Sequence, residues 1–136
     1  MRLFPLLLLP LAACTATATE RAASADRTAQ REATRAAGLE RELAGLTQRA
    51  TSDCLPLTRQ SSTRAYGDTI VYRISRGLKY VTKTTGGCER IGQGDAFITR
   101  TTIGRTCRGD IATTFDPVSR FQTGSCAFGD FTEYRK

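Results

Sequence analysis

The sequence predicts an α+β protein, with an N-terminal helical spacer followed by a small antiparallel β-sheet or barrel domain that holds two disulfides. Residues 20–53 contain no proline and are rich in Ala, Arg, Glu and Leu, which are good helix formers. From residue 54 onward, β-branched and aromatic residues alternate with short glycine-containing turns. This second part holds four of the five cysteines, an even number that favours two disulfides in an exported chain.

The first residues of the 136-residue chain form a candidate export signal. Arg2 supplies a positive charge, and residues 3–11 are apolar. This apolar run is too short to cross a bilayer, which takes about 20 residues, and Pro5 and Pro10 interrupt it. Residues 1–13 are therefore predicted to be a cleaved signal peptide.

The tetrapeptide Leu11-Ala12-Ala13-Cys14 resembles the lipobox of bacterial lipoproteins. The resemblance implies that Cys14 becomes the mature N-terminus and carries acyl chains such as palmitate, and two or more such chains anchor a protein stably to a membrane. By the sorting rule of such lipoproteins, Thr15 at the next position implies the outer membrane, facing the periplasm. The alternative is an ordinary secretory signal with an unmodified cysteine.

Residues 14–19 are the predicted lipidated tether, and residues 20–53 are the predicted helical spacer. Within the spacer, apolar residues recur mostly at steps of three and four: Ala22, Ala25, Ala29, Ala36, Leu39, Leu43, Leu46 and Ala50. Alanine buries little area, so we expect a mostly solitary helix whose leucine end contacts other residues. The alternative is a weak coiled coil, which would give weak self-association through residues 36–50.

Residues 54–136 are predicted to form the β-rich domain. Strands are expected at residues 69–74, 78–84, 96–102, 111–114 and 117–122, with a last apolar segment at 126–131 before a frayed basic tail. Ser75-Arg76-Gly77 is the expected turn of a hairpin. Short strands with frequent turns predict a sheet that curls as a barrel or sandwich.

The four cysteines of this domain allow three disulfide pairings. We favour Cys54–Cys126, which would tie the ends of the domain together, with Cys88–Cys107 as the second bridge. Loop entropy alone gives these bridges roughly 4 and 3 kcal/mol. A zinc site of four thiolates is the rival, but it favours close cysteine pairs that the sequence lacks. We predict no metal site and no cofactor.

The spacing of these cysteines, together with scattered apolar and turn residues, carries a second resemblance. Its other positions are Asp68, Ile70-Val71-Tyr72, Tyr80, Ile91, Arg108-Gly109-Asp110-Ile111, Phe128 and Phe131. The pattern is similar to a family of uncharacterised small exported bacterial proteins with four cysteines. The resemblance implies an exported, disulfide-bonded domain, and it supplies no active-site residues.

The residue types available exclude several kinds of catalysis. The chain has no histidine, so neither a Ser-His-Asp nor a Cys-His nucleophile can be built. The aspartates of the domain lie beside Gly or Pro, where turn residues are common. We predict no catalytic residues and expect a non-enzymatic, membrane-anchored structural or binding module.

The basic excess of the chain belongs to residues 54–136, which hold thirteen Lys and Arg against seven acids. Arg73, Lys79 and Lys83 fall on adjacent hairpin strands and are candidate anion-binding residues, for example for lipopolysaccharide phosphate. Ordinary solubility charge is the alternative interpretation. Strand alternation places Tyr72 and Tyr80 on the opposite face from these cations, so nucleic-acid binding is not expected.

Overall fold

A computed structural model describes residues 17–57 and 62–136 of the chain. It contains helix α1 at Ala18–Leu43, a 3₁₀ helix at Glu89–Gln93 and seven strands: β1 Thr47–Ser52, β2 Ser62–Tyr66, β3 Thr69–Ser75, β4 Leu78–Thr84, β5 Ala96–Arg100, β6 Ile111–Phe115 and β7 Gln122–Arg135. The predicted signal peptide and the lipidation site Cys14 lie outside the described residues. The predicted α+β class, with one N-terminal helix before an antiparallel sheet, is confirmed.

Helix α1 begins with a reciprocal cap and ends at a glycine. The Thr17 Oγ1 accepts the Glu20 amide at 3.3 Å, and the Glu20 carboxylate accepts the Thr17 amide at 2.7 Å, which is a capping box. Gly45, with φ of 73°, follows the last turn in the left-handed conformation that glycine tolerates. The helix runs from a first unit, which ends at Arg31, into a second compact unit of residues 32–136. Its side chains are exposed throughout residues 18–34.

The predicted boundary of the helical spacer at residue 53 is wrong. The helix stops at Leu43, and residues 47–52 form β1, which pairs with the last part of β7. Positions 46 and 50 continue the apolar spacing of the helix by coincidence. Residues 47–52 are rich in threonine, which favours strands. Thr47 pairs with Arg135 of β7, which is far away in the sequence.

The strands form one antiparallel sheet that curls into a half-barrel. Its order is β2-β3-β4-β7-β6-β5, and β1 pairs with β7. The 14-residue strand β7 lies at the centre of the sheet. It pairs with β4 through residues 128–135, with β6 through 122–127 and with β1 through 131–135.

The hairpin of β3 and β4 confirms the sequence prediction, and β5 and β6 lie where strands were expected. Strand β2 was not predicted. The expected strand at residues 117–122 is instead a turn, in which the Asp116 carboxylate accepts the amides of Val118 and Ser119 at 2.9 and 2.8 Å. The tail is not frayed, because β7 continues to Arg135.

The hydrophobic core lies inside the curl of the sheet. Its buried members are Leu55, Ala65, Ile70, Tyr72, Tyr80, Cys88, Ala112, Cys126, Phe128 and Phe131. A register shift in the pairing of β4 with β7 accompanies the inward placement of both Phe128 and Phe131, which strict alternation would put on opposite faces. The rings of Tyr72 and Phe131 lie with their centroids 6.0 Å apart.

The two disulfides exist, but the pairing expected from the sequence is wrong. The structure joins Cys54 to Cys107 and Cys88 to Cys126. Cys126 is in the central strand and is buried in the core beside Cys88, which follows β4. Cys54 instead lies beside Cys107, where the Leu55 amide donates to the Thr106 carbonyl at 2.8 Å. The expectation failed because Cys126 marks the middle of the sheet and not the end of the domain.

Candidate functional site

The three predicted anion-binding residues lie on one outer face of the β3–β4 hairpin. Arg73 is the register partner of Lys79, and Lys83 is the partner of Thr69. Tyr72 and Tyr80 point to the other side and are buried in the core. This opposition of cations and aromatic rings is the one predicted from strand alternation.

A carboxylate from α1 neutralises two of these cations. The Arg73 Nε donates to Glu42 Oε1 at 2.8 Å, and its Nη2 donates to the other carboxylate oxygen. The Lys79 Nζ donates to Glu42 Oε1 at 2.6 Å, and the Tyr66 hydroxyl donates to Oε2 at 3.0 Å. The Glu42 side chain is only 7% exposed. We call Glu42, Arg73, Lys79 and Tyr66 the Glu42 cluster.

Hydrogen bonding from Arg73 is the main cause that lowers the pKa of Glu42 from 4.5 to about 2, against a smaller opposing effect of burial. The bonds from Lys79 and Tyr66 act in the same direction. The same pairing raises the pKa of Arg73. Glu42 therefore stays ionised at neutral pH and serves as an internal anion that joins α1 to the sheet.

The predicted anion-binding face is consequently occupied from within. Lys83, the third member, lies 3.4 Å from the Asp68 carboxylate in an exposed ion pair. Each of Arg73, Lys79 and Lys83 thus has a carboxylate partner of its own chain. Arg73 and Lys79 therefore use part of their hydrogen-bonding capacity on Glu42, while the Arg73 side chain remains 30% exposed.

A groove beside Tyr66 is lined by arginines that have no ion-pair partner among the described residues. It has a volume of about 540 Å³ and is lined by Arg35 and Arg41 of α1, Arg64 of β2, the Tyr66 ring and the end of the 3₁₀ helix near Gly94. A smaller neighbouring pocket of about 300 Å³ shares Arg41, Arg64 and Tyr66 with it but is also lined by Glu42. We call the larger space the arginine groove.

Two glycines set the shape of the arginine groove. A Cβ on Gly38 would lie 2.9 Å from Cε1 of Tyr66, so glycine at this helix position lets α1 approach the ring closely. Gly67, with φ of 67°, turns β2 into β3, and a Cβ there would be 3.3 Å from the Arg35 Cδ. The aliphatic stem of Arg35 therefore lies over the turn.

No family model, curated protein or solved structure matches the chain. Within residues 17–57 and 62–136, no group of three or more acidic or cysteine side chains is placed to hold a metal ion. No helix in that part of the chain has both the length and the apolar composition of a membrane span.

The aspartates of the domain serve local structure. Asp95 is buried and accepts hydrogen bonds from Arg90 Nε at 3.0 Å and from the Thr123 hydroxyl. Asp110 accepts the Cys107 amide at 2.8 Å. The amides of the 117–121 turn, Ser119 first, lower the pKa of Asp116. These carboxylates each have a partner that explains their position.

Sequence reasoning missed the arginine groove because its arginines come from two elements. Arg35, Gly38 and Arg41 follow each other at helix spacing, which was a readable signal for one helix face. Arg64 lies in β2, a strand that was not predicted, so no local sequence pattern indicated that it lies near α1.

Proposed function

We propose that the protein is a non-enzymatic lipoprotein of the bacterial cell envelope, in which a lipid-anchored helix presents a disulfide-bonded binding module. The proposal depends on how the five cysteines are used. The four cysteines of the described residues pair with each other, which leaves Cys14, at the end of the lipobox, as the fifth. Stable disulfides are typical of compartments outside the reducing cytosol.

The form of α1 also supports a spacer role. All side chains of residues 18–34 in α1 are exposed. A helix that is polar and exposed all round suits a connection between an anchor and a folded module. The outer membrane, facing the periplasm, is the location that Thr15 after Cys14 implies.

Mass spectrometry of the mature protein under non-reducing conditions tests this proposal. We expect a chain that begins at Cys14, carries acyl groups on that residue and contains the two disulfides seen in the structure. A Cys14→Ser variant is the matched control, and it should lack the acyl mass while keeping both bridges. A wild-type chain with an intact signal peptide and no acyl group, or with four free thiols, would contradict the proposal.

As a second candidate, we propose that the module binds an anionic ligand of the envelope, such as lipopolysaccharide phosphate. The observation that favours this role is the presence of three arginines on one groove without carboxylate partners among the described residues. The two candidates are compatible, since the first concerns the anchor and the second concerns the folded module.

A further inference from the structure

We propose that the arginine groove, and not the hairpin face of Arg73, Lys79 and Lys83, is a binding site for a phosphate-bearing anion. The inference rests on the proposed role as a binding module and names the site and the ligand class. It depends on which arginines have no ion-pair partner among the described residues and on how their side chains are held.

Within the part of the chain that the structure describes, the lining of the arginine groove carries three arginines against one carboxylate. Glu42 accepts hydrogen bonds from Arg73, Lys79 and Tyr66, and it lines the neighbouring smaller pocket but not the groove. Arg35, Arg41 and Arg64 have no ion-pair partner among the described residues. The carboxylate in the groove lining is Glu89, which keeps its charge and also accepts the Gly87 amide at 2.9 Å.

Two of the three arginine side chains are partly positioned before any ligand binds. The Arg41 Nε donates to the Ala37 carbonyl at 3.1 Å, which leaves its two terminal nitrogens for a ligand. The Arg35 stem lies against the Gly67 turn. Fixing side chains in advance lowers the entropy lost on binding.

Phosphate is the anion that this arrangement fits. Guanidinium groups present paired N–H donors that match phosphate oxygens in bidentate geometry. Three arginines from two elements suit a phosphate group, whose charge is spread over several oxygens. A groove of about 540 Å³ has room for a headgroup or a small phosphorylated molecule.

The test is a titration of the full mature chain in neutral detergent. One arm adds pyrophosphate, and the other adds phosphatidylglycerol to the micelles, with phosphatidylcholine as the uncharged counterpart. Binding is read from the backbone amide NMR shifts of Gly67 and Gly94, which both line the groove. We compare the variant Arg35→Gln/Arg41→Gln/Arg64→Gln with the control Arg21→Gln/Arg27→Gln/Arg31→Gln, which removes the same charge from the exposed part of α1.

We expect saturable shifts with at least one probe, weakened about tenfold or more in the groove variant and within about twofold of wild type in the control. Response to pyrophosphate alone identifies a soluble phosphate ligand, and response to phosphatidylglycerol identifies a lipid headgroup. Equal weakening in both variants would show generic charge attraction and would overturn the site.

Absence of saturable shifts with either probe up to roughly 10 mM would also overturn the site. Non-reducing peptide maps and thermal unfolding of both triple variants show whether the fold is intact. Acylation of Cys14 is measured separately by mass. A negative result for phosphate binding would therefore not contradict the proposed lipid anchor, and an unacylated Cys14 would still allow the phosphate titration.

Discussion

At the scale of single residues, Glu42 has the largest consequence for how α1 meets the sheet. It lies in a stretch whose formal charges cancel, residues 15–53 holding six arginines and six acids. Nothing in that balance distinguishes Glu42 from the exposed Glu40 two positions earlier. The difference arises from register, because only Glu42 reaches Arg73 and Lys79 across the outer face of the hairpin.

We expect Glu42→Gln to lower the free energy of unfolding by about 2–3 kcal/mol, because it removes charge-assisted hydrogen bonds and leaves two cations without their carboxylate. Glu40→Gln on the same helix is the control and should change stability by less than about 0.5 kcal/mol. Urea unfolding at neutral pH measures both. Equal stability of the two variants would contradict the role of the Glu42 cluster.

The same carboxylate gives stability a defined pH dependence. The pKa of Glu42 is lowered from 4.5 to about 2 by folding, mainly through Arg73, so its contribution is fully present above about pH 5 and is lost as the pH falls toward 2. The unfolding free energies of wild type and Glu42→Gln should therefore differ most at neutral pH and converge near pH 2. A difference that stays constant over this range would show that the carboxylate charge is not responsible.

At the scale of secondary-structure elements, local signals predicted only the local pairings. The β3–β4 hairpin could be placed because its strands and turn are contiguous in sequence. Strand β1 could not be placed, because Thr47 pairs with the distant residue Arg135. The apolar residues around it are also spaced as in a helix. The same limit hid the disulfide partners and the third arginine of the groove, since each depends on which distant strand lies alongside.

The docked half of α1 offers a prediction at this scale. Alanine is a better helix former than glycine by about 1 kcal/mol, but a Cβ on Gly38 would lie 2.9 Å from the Tyr66 ring. We expect Gly38→Ala to destabilise the protein despite the gain in helix propensity, because the ring must shift and disturb its bond to Glu42. In a Tyr66→Ala background the same change should become stabilising, and thermal unfolding of the four variants measures this reversal. Stabilisation by Gly38→Ala alone would contradict the close approach.

The two disulfides are expected to differ in their effect on stability. Their sequence separations of 53 and 38 residues give similar loop entropies of about 4 kcal/mol. Cys88 and Cys126 are buried in the core, so replacing both with alanine also leaves a cavity. We expect replacement of Cys88 and Cys126 to lower the free energy of unfolding by at least about 1 kcal/mol more than replacement of Cys54 and Cys107. Urea unfolding measures both. An equal or smaller cost would contradict the placement of the Cys88–Cys126 bridge in the core.

At the scale of the whole molecule, the chain divides into a first unit that ends at Arg31 and a second unit of residues 32–136. The first unit consists, in its described part, of exposed helix. The second contains the core, both disulfides and the Glu42 cluster. This division predicts that substitutions that break α1 affect the stability of the protein differently in the two halves of the helix.

Proline substitution at two exposed alanines tests the division. Ala25→Pro should reduce helical circular dichroism without changing the unfolding midpoint of the sheet, because no residue of that segment is buried. Ala37→Pro should lower stability by about 3 kcal/mol, because it interrupts the part of α1 that carries Gly38 and Glu42 to the sheet. Equal destabilisation by the two prolines would contradict the division.

The central position of β7 has a consequence for the timing of folding. Strand β7, which joins both sides of the sheet, is the last of the described strands in chain order, and it provides Cys126 and two phenylalanines of the core. A nascent chain that ends before residue 122 has neither its middle strand nor the partner of Cys88. Such a chain can complete neither the core nor the Cys88–Cys126 bridge, so the sheet closes only after β7 has been synthesised.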